Sequence, residues 1–381
     1  MGGFEKIEAL LLREHAHGFP FGTVIVTHHG EDVYEFSFGT AYAATGRPMG
    51  PDVPVWFYSM SKVPTCVAGV QLLEQGKLHL DDPVGDYLPA FRHVRVRHPD
   101  GTVTPAAREM TVEHLFTMAS GLDYDLNRPA LVRAMQNPDA GTVELVNAMA
   151  EDPLIFEPGA RYEYSLSHDV LAAVVEVASG MPFEDYMQAN VFGPVGAGGL
   201  TYHATAAQKA ALADQYWYDM ATCQGSPMTR ENEFIFTERF ASGGAGVYGN
   251  ARDFSRLVAA LSVGGRTTSG ERILGDAGMH MMMENRLSND QLNCYRDEPR
   301  KYGYGWGLCG EVHMDPYFSQ SRSAVGQFGW AGAANSYCLI DPVNEVSITY
   351  VAHLRACAYG YNTTHVALKN LTYEALGLGE R

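Results

Sequence analysis

Val55-Trp56-Phe57-Tyr58-Ser59-Met60-Ser61-Lys62 is the stretch on which the reading of this chain turns. A serine three residues before a lysine is chemically useful only where the backbone turns helical. Positions i and i+3 then share one face, and the Ser59 hydroxyl stands beside the Lys62 amine. A helix start leaves backbone N–H groups unpaired and carries partial positive charge. A serine there suits an anionic nucleophile, and its own N–H can meet a developing oxyanion. Val63, Val67, Val70 and Leu73 continue at helical spacing, Pro64 falls in the first turn, and Gly76 marks the stop. The lysines are Lys6, Lys62, Lys77, Lys209, Lys301 and Lys369, and only Lys62 has a serine three residues before it. The apolar run ahead of the motif places its start in the interior.

The rest of the composition narrows the setting. The chain has 381 residues, 46% of them apolar, which suits one large domain or two lobes. A net charge of −17 repels polyanions, so neither nucleic acid nor an anionic membrane is an expected partner. No apolar run approaches membrane-spanning length. Met1-Gly2-Gly3-Phe4-Glu5-Lys6 lacks the basic-then-apolar pattern of a secretory leader. Cys66, Cys223, Cys294, Cys309, Cys338 and Cys357 are scattered and form no Cys-x-x-Cys, so free thiols in the cytoplasm are expected.

Working outward, Glu5–His15 predicts an amphipathic helix. Gly22–Thr27 and Val33–Phe38 flank a turn at residues 28–32 and predict a hairpin. Thr111 is a candidate cap for a helix that ends at Ser120-Gly121-Leu122. Gly141–Ala150 and His168–Ala178 are helical in pattern, as is Arg252–Leu261. Residues 216–240 are polar and have no assignment. Ser336–Ile340 and Val346–Val351 predict a second hairpin, and Thr363–Leu376 a final helix. The expected sheet is thus built from both ends of the chain.

Several further motifs bear on the chemistry. Ser167-His168-Asp169 looks like a catalytic triad written in a row, but adjacent side chains on a helix diverge; Ser167 reads as a helix cap. No Gly-x-Ser-x-Gly elbow occurs. His15, His17, His28 and His29 lack metal-binding spacing and read as solvated. Ser242-Gly243-Gly244-Ala245-Gly246 lacks phosphate-loop spacing and reads as flexible backbone beside a site. No metal or cofactor is expected. Tyr164-Ser165-Leu166 follows a loop, and a tyrosine oxygen beside a lysine ammonium can accept and return a proton. Gly329-Trp330-Ala331-Gly332-Ala333-Ala334 precedes a strand, and its small residues would let backbone approach a substrate closely.

In this order, Ser59-Met60-Ser61-Lys62, Tyr164-Ser165-Leu166 and Trp330-Ala331-Gly332 resemble the three motifs of the serine β-lactamase and penicillin-binding-protein superfamily. The likeness is to the class C β-lactamase branch, and within it to the family VIII carboxylesterases. Supporting stretches are Gly76–Val84, Thr111–Leu122, Phe156–Gly159, Gly243-Gly244 and Tyr302–Gly307. The resemblance implies an α/β (α+β) fold of β-lactamase/transpeptidase type. An antiparallel sheet flanked by helices would occupy residues 1–75 and 241–381, and a mainly helical lobe residues 76–240.

It also implies Ser59 as the acylated nucleophile and Lys62 with Tyr164 as the proton-transfer pair. The oxyanion hole would be the backbone N–H groups of Ser59 and Ala333. Trp330, Gly332 and Leu166 would bind substrate. Leu166 stands where the family has an asparagine, and Trp330 where true lactamases have a lysine. A site without those polar handles favours small or apolar esters over penicillins, unless an arginine such as Arg322 supplies a carboxylate partner. The expectation is a serine carboxylesterase acting on a small-molecule ester or amide. A β-lactamase, a D-amino-acid amidase or peptidase, and an acyltransferase are alternatives on the same fold. A non-catalytic binding protein is the alternative of another class.

Overall fold

Strand Phe21–His28 is buried at seven consecutive positions, because it lies in the middle of an eight-stranded sheet. The computed structural model describes residues 3–379; Met1 and Gly2 of the N-terminal stretch read for a leader lie outside the described residues. From one edge to the other the strands are Tyr304–Trp306, Glu311–His313, Phe328–Ala331, Tyr337–Asp341, Val346–Val351, Phe21–His28, Glu31–Tyr42 and Arg47–Pro48. Every neighbouring pair is antiparallel. The seam between the chain ends pairs Thr23 with Val351 and Ile25 with Thr349. Val346–Val351 is buried throughout, so its run of apolar and small polar residues reads as a covered strand rather than an alternating one.

Helix Ala251–Ser262 packs on the central strands, and helices Glu5–Ala16 and His365–Ala375 pack against each other beside the sheet. All three form close to where apolar periodicity places them. Both predicted hairpins are present, the first reaching Tyr42 rather than Phe38. A π-helical turn, Gly360–Thr364, precedes the last helix.

Between residues 76 and 240 lie helices Val112–Phe116, Thr142–Met149 and Ser167–Ser179, with a two-stranded ribbon, Arg95–Arg97 and Val103–Pro105. The unassigned 216–240 region holds a hairpin, Gln215–Asp219 with Gln224–Met228. Its partner strand, Leu354–Arg355, comes from the far end of the chain, so no local pattern announces it. No helix among the described residues is long and apolar enough to cross a membrane.

Candidate active site

Ser59 stands at a sharp break between a strand and a helix. Val55–Trp56 pairs with Tyr248–Gly249, and Phe57 N donates to Val247 O at 3.0 Å. Tyr58 then takes φ +48°, a region that a bulky residue enters only when held there. Its ring is fully buried, its hydroxyl donates to Gln215 Oε1 at 2.6 Å, and the Arg355 guanidinium lies 4.7 Å over its ring. Tyr58–Ser61 forms a 3₁₀ turn, and the α-helix begins only at Lys62, running to Glu74. The difference from a helix starting at Ser59 works in favour of the motif. With three residues per turn, i and i+3 eclipse, and Ser59 is stacked over Lys62.

Lys62 is 0% exposed, and its ammonium has three acceptors for its three N–H bonds. These are Ser59 Oγ at 3.3 Å, Tyr124 OH at 2.8 Å and Gly244 O at 2.8 Å. The 242–246 segment is pinned rather than flexible. Buried Asp169 accepts from Ser242 Oγ at 2.6 Å and from Gly244 N at 3.1 Å. A Cβ at Gly244 would come within 2.4 Å of Asp169 Oδ2, so glycine is what lets this backbone carbonyl reach the lysine. Burial raises the Asp169 carboxyl above its ordinary range, and the Lys62 charge opposes that rise.

His168 turns elsewhere, its Nε2 3.1 Å from Phe116 O. Burial, reinforced by the Lys62 charge, pushes its pKa down to about 3. The Ser167-His168-Asp169 run therefore diverges, as its adjacency requires. Ser167 is not the cap it was read to be: the helix begins at Ser167 itself, after Leu166, and its hydroxyl bonds those of Ser120 and Ser165, each at 2.7 Å.

Tyr164 and Tyr124 stack with centroids 5.3 Å apart, and the Lys62 ammonium lies 4.7 Å over the Tyr164 ring. Trp330 Nε1 donates to Tyr164 OH at 2.8 Å, so the indole N–H is already engaged within the site. Tyr124 escaped the sequence reading. It lies two residues past the Thr111–Leu122 stretch, and only its place after that helix end could have drawn attention to it. Its hydroxyl is in hydrogen-bonding contact with Ser59 and Tyr164 as well as Lys62. Burial, with Tyr164 and Asp169 nearby, pushes the Tyr124 hydroxyl well above the usual phenol range.

The turn after strand Phe328–Ala331 packs directly on the backbone that leads to Ser59. Ser336 Oγ donates to Phe57 O at 2.8 Å, and a Cβ at Gly332 would lie 2.1 Å from that same oxygen. Only glycine fits there, and the fit brings Ala333 to the mouth of the Ser59 site. Ser59, Tyr164, Trp330, Gly332 and Ala333 all line one cavity of about 740 Å³. Leu166 does not: it is 5% exposed and packed in the core. Arg322 is also elsewhere, with its guanidinium on Gly379 O at 3.1 Å. The cations on the cavity wall are Arg300 and Lys369.

Fold and site together define a serine hydrolase scaffold of β-lactamase/transpeptidase type. The chain belongs to the Beta-lactamase family, whose model it matches over residues 7–364. It is 29% identical over 347 residues to Esterase EstB of Burkholderia gladioli, covering 85% of this chain and 83% of that protein. Many solved structures share its fold, two hydrolases among them. One, EstCE1, a hydrolase with promiscuous acyltransferase activity, superposes with a TM-score of 0.80 at 24% identity, over 97% of this chain and 98% of that one. The other, a family VIII carboxylesterase, gives a TM-score of 0.73 at 18% identity, over 98% of each chain.

Proposed function

We propose that this protein is a serine hydrolase that cleaves carboxylic esters through an acyl-Ser59 intermediate. The observation that carries the reading is the fully buried Lys62 nitrogen, 3.3 Å from Ser59 Oγ, which lies at the wall of a large cavity. Ser59 Oγ attacks the ester carbonyl as its proton passes to Lys62, which takes part as the neutral amine, with the Tyr124 and Tyr164 hydroxyls of the same cluster as the relay. The backbone N–H groups of Ser59 and Ala333 hold the oxyanion. The cluster returns the proton to the departing alcohol, and a water then releases the acid by the same route. Trp330 and Gly332 form the wall beside the ester, with Trp330 also orienting the Tyr164 hydroxyl.

The substrate is a small-molecule ester. The site lies between two lobes, residues 1–75 with 241–381 and residues 76–240: Ser59 and Trp330 come from the first, Tyr124 and Tyr164 from the second. Six unpaired cysteines, four of them buried, suit the reducing cytoplasm.

Esters are favoured over lactams for a physical reason. A β-lactam carboxylate sits a few bonds from its carbonyl and loses its hydration there, so it needs a cation close by. Trp330 offers aromatic surface instead, which an uncharged ester can use. The test is a turnover screen with nitrophenyl esters of graded length beside a chromogenic cephalosporin, together with labelling by a serine-directed phosphonate. Ester kcat/KM should exceed that for the cephalosporin, and mass spectrometry should find the phosphonate on Ser59 and nowhere in Ser59→Ala. Cephalosporin turnover equal to the best ester sinks the esterase reading. Labelling that persists in Ser59→Ala sinks the nucleophile.

A further inference from the structure

The cavity does not end at the apolar wall beside Ser59. It continues along the last helix to Lys369, which is 6% exposed. The Lys369 ammonium donates to Tyr304 OH and lies 4.7 Å over that ring. No carboxylate among the described residues comes within 4.0 Å of it. The other charges on this wall are already matched. Arg300 Nε donates to Glu298 Oε2 at 3.0 Å, and its Nη1 lies 4.0 Å from Glu311 Oε2, which also accepts from Tyr295 OH at 2.5 Å. Burial and the nearby cations hold His365 neutral, with a pKa of about 3.

A second group at the same end lacks a partner. Gln327, 4% exposed, gives its amide oxygen to Ser323 Oγ at 3.2 Å, and no group among the described residues accepts from its amide nitrogen. Ser323 Oγ lies 3.2 Å from His313 Nδ1, and the His313 ring lies 5.2 Å from the Tyr304 ring, so Gln327 and Lys369 belong to one cluster. A buried ammonium with no counter-charge, on the same cavity wall as an amide donor, suits an anion, since buried charges are otherwise paired.

Its distance from the chemistry can be read along the chain. Tyr361 OH donates to Gly332 O at 2.9 Å, next to the turn that carries Ala333. Lys369 lies eight positions further on, across the rest of the π-helical turn and the start of the α-helix, an axial offset on the order of 12 Å. An extended chain advances a little over an ångström per bond, so that span takes roughly ten bonds.

Resting on the ester-hydrolase reading, we propose that the substrate is an ester bearing a free carboxylate about ten bonds from its ester carbonyl, seated on Lys369. Because the chain carries a net charge of −17, its overall field opposes an anionic substrate, and a preference for one must come from a local cation.

The test compares matched pairs on the full chain. In one arm, a nitrophenyl monoester of a linear dicarboxylic acid of the matching length is set against the same ester with its far carboxyl methylated. In the other, acetate esters of ω-hydroxy acids are set against their methyl esters, which moves the carboxylate to the alcohol half. A hydrogen-bonded charge is worth a preference of roughly tenfold to a hundredfold in kcat/KM for the free acid. The arm that shows it identifies which half of the ester occupies the cavity. Lys369→Met should bring the ratio near one, and Lys369→Arg should keep most of it. A ratio measured within one protein cancels any loss of active fraction. Should Lys369→Met fail to fold, chain length serves instead: the wild-type preference should vanish for diacids of three or four bonds. No preference in either arm overturns the subsite, as does a preference that survives Lys369→Met or ignores chain length. Turnover of no ester at all overturns the hydrolase reading itself.

Discussion

Lys62 and Lys369 stand behind the two ends of one cavity with nearly the same local dress. Each is buried, each gives its ammonium to a tyrosine hydroxyl, and each lies 4.7 Å over a tyrosine ring. What differs is the third neighbour. Lys62 also reaches Ser59 Oγ at 3.3 Å and Gly244 O at 2.8 Å, with Asp169 behind that carbonyl. Lys369 has neither a nucleophile nor a carboxylate. The comparison teaches that a buried lysine on a tyrosine is not itself a catalytic device. Beside a serine it is placed to move protons; on a cavity wall without a carboxylate it is placed to meet a charge.

The sharpest way to break that comparison is Lys62→Met. Losing the proton carrier should cost roughly a thousandfold or more in kcat on a nitrophenyl ester. Retention of activity within tenfold would make Lys62 as peripheral to the chemistry as Lys369. Next in size are Tyr124→Phe and Tyr164→Phe, each expected to lose about a hundredfold. Because both hydroxyls belong to one proton path, the double variant should be little worse than either single one. A double loss equal to the product of the two would mean that the tyrosines act independently.

A smaller effect is expected on stability. Each lysine has a buried histidine nearby, His168 and His365, and both are held down to about 3, first by burial and then by neighbouring cations. An unfolded histidine titrates near 6.5, so as pH falls below that value the unfolded chain binds protons that the folded one refuses. The stability from each neutral histidine is whole above about pH 6.5 and is lost as pH falls toward 3, by at most about 1.4 kcal/mol per pH unit. Denaturant midpoints measured from pH 7 to 4 should fall, and His168→Gln should flatten that fall. A midpoint independent of pH over this range would refute it. The smallest effect belongs to Trp330→Phe. It keeps the aromatic wall and removes one hydrogen bond to Tyr164 OH, which should cost at most about tenfold in kcat with KM little changed. A larger change in KM than in kcat would give the indole a binding role instead.

Ser59, Lys62, Trp330 and Gly332 were legible from order and spacing, because a helical turn and a glycine at a close approach leave local marks. The two hairpins and the helices beside them were legible from periodicity for the same reason. Tyr124 left no such mark. Its place depends on residues 59, 62 and 164 converging on it from two other segments. The hairpin at 215–228 was hidden because its strand partner is Leu354–Arg355, and strands such as Gln224–Met228 carry no pattern of their own.

By itself, then, the amino-acid sequence determined the class of fold, the approach of Ser59 to Lys62, and the glycine that lets the turn after Ala331 close on Phe57. Each of these is encoded within a few residues, by backbone preference and side-chain period. Only the tertiary structure decided that Asp169 accepts from the Ser242 hydroxyl and the Gly244 N–H rather than from a histidine, that Trp330 uses its N–H on Tyr164, and that Lys369 lines the same cavity as Ser59. Those facts depend on which distant segments become neighbours, and burial and pairing of polar groups are properties of neighbours in space.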